Sequence, residues 1–110
     1  MATTTYKVLG QINPSATTAT TLYTVPASTQ TVVSTIVICN QASSSATYRV
    51  SIRQAGAAQT AAMYVAYDVT VGANDSTALT LGITLNATDV ITVYGSTATL
   101  AFAAFGSEVA

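Results

Sequence analysis

Apolar and polar side chains alternate along most of this chain. From Thr47 the run places Tyr48, Val50 and Ile52 on one side and Thr47, Arg49, Ser51 and Arg53 on the other. A period of two is the signature of a strand with one buried face, so both arginines are expected to point outward. The alternation resumes with Met63, Val65, Tyr67, Val69 and Val71 on the expected inner side and Tyr64, Ala66, Asp68 and Thr70 opposite. A third run sets Leu79, Leu81, Ile83 and Leu85 inward, with Thr80, Gly82 and Thr84 outward. No segment carries a helical stripe, and the Thr, Val, Ile and Tyr that fill these runs favour extended backbone.

The pattern predicts strands over Tyr6–Ile12, Thr20–Val25, Thr31–Asn40, Thr47–Gln54, Met63–Val71, Ser76–Leu81, Asp89–Tyr94 and Thr99–Gly106. The separators have turn chemistry, among them Asn13-Pro14-Ser15, Pro26-Ala27-Ser28, Gly72-Ala73-Asn74-Asp75 and Asn86-Ala87-Thr88-Asp89. About eight short strands at this spacing predict an all-β fold, a single-domain antiparallel β-sandwich or jelly roll over residues 1–110. The Ala-rich segment Gln54–Ala62 reads as a connection between the two sheets.

One predicted strand departs from simple alternation. In Thr31–Cys39, Val33, Val37 and Cys39 share one face, and Val32, Ile36 and Ile38 share the other, so both faces are apolar. Such a strand needs a cover on each side. The second cover is either a folded-over terminus or another subunit, and the second option predicts a symmetric homo-oligomer.

Composition sharpens this. Only 6 % of residues are charged, against about 25 % in an ordinary soluble domain, and Thr makes up roughly a fifth of the chain. Scarce charge suits surfaces that become subunit interfaces. Three Lys+Arg and a net charge of −1 give no basic footprint for nucleic acid. The absence of His removes imidazole acid–base catalysis and His-ligated zinc, and one Cys permits neither an internal disulfide nor a CxxC site. MATTTYK is not a signal sequence, and no apolar run reaches the ~18 residues of a membrane span. No cofactor, metal ion, nucleic acid or membrane partner is expected.

Few residues remain as candidates for chemistry. Arg49 and Arg53, two of the three cations, share a strand face and are candidates for partner contact through carboxylate pairing. Tyr64, on the expected outer side, could offer an aromatic surface to a sugar or partner, and the other tyrosines read as core. Asp75 and Asp89 sit in Asn-bearing turns. A calcium site is conceivable there, but turn capping is the better account. Cys39, in an apolar strand, reads as core. The sequons Asn74-Asp75-Ser76 and Asn86-Ala87-Thr88 read as chance matches in a Thr-rich chain.

The stretch LYTVPASTQTVVSTIVICNQ (Leu22–Gln41), with TYRVSI, AYDVTVGANDS, LTLGITLNATDVITVYGSTATLAF and AFGSE after it, resembles small virion structural proteins of tailed bacteriophages. The resemblance covers nearly the whole chain. It implies a non-enzymatic β-sandwich, often trimeric, located in the virion and made in the host cytoplasm. A decoration or cement protein bound to the major capsid protein or other virion proteins is the leading expectation. A tail, baseplate or fibre-associated position is the second, and a carbohydrate-binding host-attachment module is a rival of another class. The resemblance carries no catalytic residue to this chain.

Overall fold

A computed structural model describes residues 3–110. The alternating runs become nine strands: β1 (Thr4–Ile12), β2 (Thr20–Thr24), β3 (Gln30–Asn40), β4 (Ala46–Arg53), β5 (Tyr64–Val71), β6 (Ser76–Leu79), β7 (Ile83–Leu85), β8 (Val90–Gly95) and β9 (Leu100–Val109). The count exceeds eight because the third alternating run breaks. Gly82 adopts a φ of +63°, and β6 and β7 pair with successive stretches of the same strand, β3. Leu81 sits in the break and is 52 % exposed, against the expectation that it faces inward.

Pairing follows a nested order. β1 pairs with β9, β2 with β8, β3 with β6 and β7, and β4 with β5, all antiparallel. With β6 and β7 taken as one interrupted strand, this is a double-stranded ribbon closed at the β4–β5 end. Rolling the ribbon adds the β3–β9 and β4–β8 pairings. Two sheets result, β1-β9-β3-β6 with β7 also on β3 (sheet A) and β2-β8-β4-β5 (sheet B). A rolled ribbon in two facing sheets is a jelly roll, which decides between the two sandwich topologies the alternation left open.

The core lies between the sheets. Val33, Ile36, Ile38, Leu100, Phe102 and Ala104 of sheet A meet Leu22, Val50, Ile91, Val93 and Tyr48 of sheet B. Tyr48 and Phe102 touch edge to face, ring centroids 6.3 Å apart, a favoured aromatic geometry. In β4, Tyr48 and Val50 are buried and Arg49 and Arg53 face outward as the alternation predicts, whereas Ser51, expected outward, is 1 % exposed.

β3 does not keep strict alternation. A bulge between Val33 and Thr35 shifts its register against β9. An extra residue in a strand reverses the facing of everything beyond it. Val33 therefore joins Ile36 and Ile38 in the core, while Val32, Val37 and Cys39 share the outer face, which corrects the facing expected for Val33 and Val32. Cys39 pairs with Ala101 on that outer face and is half-buried, so it is not core. The bulge brings the backbones of β3 and β9 so close that a Cβ at Gly106 would collide with the Val32 carbonyl oxygen. Only glycine fits there.

β5 departs further. Its register against β4 shifts twice, and Asp68 takes a φ of +51° inside the strand. Ala66 packs on the core and Val71 is buried, whereas Val65 and Tyr67 are 43 % and 56 % exposed. Expected inner residues thus face outward. The segment before β5 also differs from expectation, because Gln54–Ala62 joins two strands of the same sheet. It folds back on sheet B: Arg53 Nε and Nη2 donate to the Ala57 and Gly56 carbonyls at 2.8 and 2.9 Å, and Gly56 lies over Val90.

Candidate functional site

Two outer faces compete for a functional role. On sheet B, β4 places Arg49 opposite Tyr94 of β8, and the β5 bulge brings Tyr67 and Asp68 to the same face. Arg49 Nε donates to Asp68 Oδ1 at 2.6 Å and Nη2 to Oδ2 at 3.2 Å, a two-pronged ion pair. Its guanidinium carbon lies 4.2 Å from the Tyr67 ring centroid and 4.4 Å from that of Tyr94, within cation–π range of both. Tyr64 meets Tyr67 edge to face at 4.9 Å. Hydrogen bonding from Arg49 holds the Asp68 carboxyl below the usual carboxylate range, and the same contact raises the Arg49 guanidinium above its ordinary value. Beside this stack opens a cleft of ≈ 800 Å³ lined by Gln59, Thr60, Ala61, Tyr64 and Tyr67.

The structure thus separates the three candidates. Arg49 and Tyr64 join one cluster, while Arg53 is occupied by the loop it anchors. Tyr67, Tyr94 and Asp68 were missed. Tyr64 and Tyr67 are three residues apart, which a regular strand would put on opposite faces, and only the bulge unites them. The expectation that the other tyrosines are core holds for Tyr23 and Tyr48 alone; Tyr6 is 84 % exposed.

On sheet A the outward rows follow from the register. Tyr6, Ser107, Val32 and Thr84 form one; Val8, Phe105 and Thr35 the next; Gln11, Ala103, Val37 and Ala78 another; Ala101, Cys39 and Ser76 the last. None of the chain's charged side chains lies in these rows among the described residues. Nothing among the described residues covers the face either. The first and last strands, β1 and β9, lie side by side within the sheet, and Thr3 and Ala110 exchange backbone hydrogen bonds of 2.7 and 3.0 Å. Among the described residues, therefore, no folded-over segment supplies the second cover of β3.

The remaining acids serve the fold. Asp89 accepts the Ala55 and Asn86 backbone N–H groups, each at 2.9 Å, and Asp75 accepts that of Ser76 at 2.8 Å. Glu108 accepts hydrogen bonds from the Tyr23 hydroxyl and from Lys7 Nζ, the latter at 3.3 Å. Tyr23 and Thr31 are 2.9 Å apart, so this network spans both sheets. No group of three or more His, Cys, Asp or Glu that could hold a metal occurs among the described residues.

Fold and surfaces together define a jelly-roll β-sandwich with one uncharged open face and one aromatic cluster. No protein-family model and no curated protein matches the chain. A solved chain from the structure of infectious bursal disease virus Gx strain is similar to it in fold, with a TM-score of 0.50 and 12 % sequence identity. The match covers 99 % of this chain and 32 % of that one, so the chain spans about a third of the length of its structural neighbour.

Proposed function

We propose that this chain is a structural component of a virus particle, a decoration or cement protein that docks on the capsid of a tailed bacteriophage as a homotrimer. The observation that carries the reading is the outer face of sheet A, where Val32, Val37, Cys39, Ala101, Ala103 and Phe105 lie along β3 and β9 and which, among the described residues, bears no charge and has no cover. Burying apolar surface yields about 25 cal/mol per Å², so each 100 Å² covered contributes about 2.5 kcal/mol before the costs of association. Symmetry repeats that gain at every contact around a shell.

Three further points support it. Jelly rolls are a recurrent building block of viral shells, and the structural neighbour comes from a virus. The Leu22–Gln41 stretch resembles phage virion proteins, which is the source of the trimer. Each of the four acids is engaged by a backbone or side-chain partner, so a binding role needs nothing of them. A tail or baseplate position would use the same adhesive chemistry, and stoichiometry separates the two. Quantitative mass spectrometry of purified particles carrying the chain is expected to give hundreds of copies per particle. A handful of copies would move the protein to the tail, and its absence from particles would overturn the reading.

A further inference from the structure

The aromatic cluster on sheet B has no part in an adhesive sheet A face, yet the chain spends strain on it. Asp68 holds a left-handed φ in mid-strand, inside the first of two register shifts against β4, with the second at Val65. Sparsely populated backbone conformations persist where the surroundings over-determine them, and they gather at ligand sites. Their result here is one exposed ring, Tyr67, held in place. Arg49 stacks on it, Tyr94 backs Arg49, and Asp68 fixes the guanidinium by two hydrogen bonds. An aromatic surface immobilised in advance loses little entropy when a ligand arrives.

We propose that the cleft formed by Gln59, Thr60, Ala61, Tyr64 and Tyr67 binds a neutral oligosaccharide. Charge selects the ligand class. Arg49 and Asp68 neutralise each other, and no charged side chain lines the cleft, so nothing there favours a phosphate, sulfate or carboxylate. Shape and chemistry select further. A sugar ring presents C–H groups on its faces and hydroxyls around its edge. Tyr64 and Tyr67 offer ring surface for the first, and the Gln59 amide, Thr60 hydroxyl and tyrosine hydroxyls offer donors and acceptors for the second. The open cleft of ≈ 800 Å³ has room for more than one sugar unit. The site stands independently of the particle assignment and of sheet A.

The test is a glycan array of neutral and anionic bacterial and plant oligosaccharides probed with the full chain, followed by calorimetry on the best neutral hit. Saturable binding to a neutral glycan is expected. Tyr67→Ala should weaken it by about tenfold or more, and Tyr67→Phe, which keeps the ring, should stay within about threefold. Thermal melts of both variants guard against misfolding, and Leu81→Ala, at an exposed residue outside the cleft and outside the sheet A rows, should bind as the parent does. Binding to no glycan, to anionic glycans alone, or with equal affinity in Tyr67→Ala would overturn the proposal. So would preference for a proline-rich peptide, the other ligand that aromatic clefts accept. None of these outcomes changes the oligomeric state, so failure here and failure of the cement reading are separable.

Discussion

Asn40 closes β3 with its side chain turned into the molecule, nearly inaccessible to solvent. Its Nδ2 lies 2.9, 3.3 and 3.1 Å from the carbonyls of Ser44, Val71 and Gly72, while Oδ1 accepts from the Ala42 N–H and the Thr99 hydroxyl, each at 3.1 Å. One side chain thereby ties the β3–β4 turn to the end of β5 and the start of β9. Removing it strands buried carbonyls, each costing about 1–3 kcal/mol. Asn40→Leu should lower stability by about 3 kcal/mol, read as a fall in the urea midpoint at unchanged slope. Tyr23 and Glu108 give a second prediction. Burial first, and Glu108 second, push the Tyr23 hydroxyl from 10.0 up to about 12, whereas hydrogen bonding from Tyr23 holds the Glu108 carboxyl below its usual range. A raised pKa means the folded state holds its proton more tightly. Stability from Tyr23 is therefore complete below pH 10 and lost from there towards about pH 12. A lowered carboxylate works in the opposite sense. The share from Glu108 is present above its ordinary pKa of 4.5 and fades as pH falls through the depressed value. Tyr23→Phe should flatten the alkaline decline in melting temperature, leaving only the part due to buried Tyr48, whose hydroxyl is also raised by burial. An unchanged alkaline limb would contradict the linkage.

β4 shows where sequence reading succeeds, apart from Ser51, which is buried against expectation. In β4 the residues Tyr48, Val50 and Ile52 face the core and both arginines face out, because one side chain per pleat leaves no freedom. β3 and β5 show where it fails. A bulge leaves no mark in a hydrophobic pattern, so Val33 exchanged faces with Val32 and the β5 tyrosines came together unannounced. Gly106 is the visible trace of the β3 bulge: a lone glycine inside a strand pattern signals close backbone approach. Gly106→Ala should cost at least about 2 kcal/mol, since the clash is with a backbone oxygen and not a movable side chain. A denaturation midpoint equal to that of the parent would show that β3 and β9 can separate locally. Of the candidate cluster, Arg49 was legible from its facing in β4, whereas Tyr64 was set outward by an alternation that β5 does not keep. The grouping of Tyr64 with Tyr67, Asp68 and Tyr94 required the β4–β5 and β4–β8 registers, which no local signal encodes.

The whole molecule measures 49 × 27 × 20 Å, its thin dimension that of two sheets about 10 Å apart with their side chains. The all-β class was readable because turn residues punctuate short alternating runs. The rolled-ribbon order was not, since it depends on which distant strands pair. What did carry through is the doubly apolar strand β3, whose outer residues Val32, Val37 and Cys39 lie on a face that the described residues leave open. Assembly through that face is read from the solution mass of the purified chain, by light scattering at micromolar concentration. A trimer is expected for the natural sequence. Val37→Lys, which sets a charge in the middle of the face without touching the core, should give a folded monomer. A natural chain that runs as a monomer, or a trimer untouched by Val37→Lys, would contradict assembly through that face.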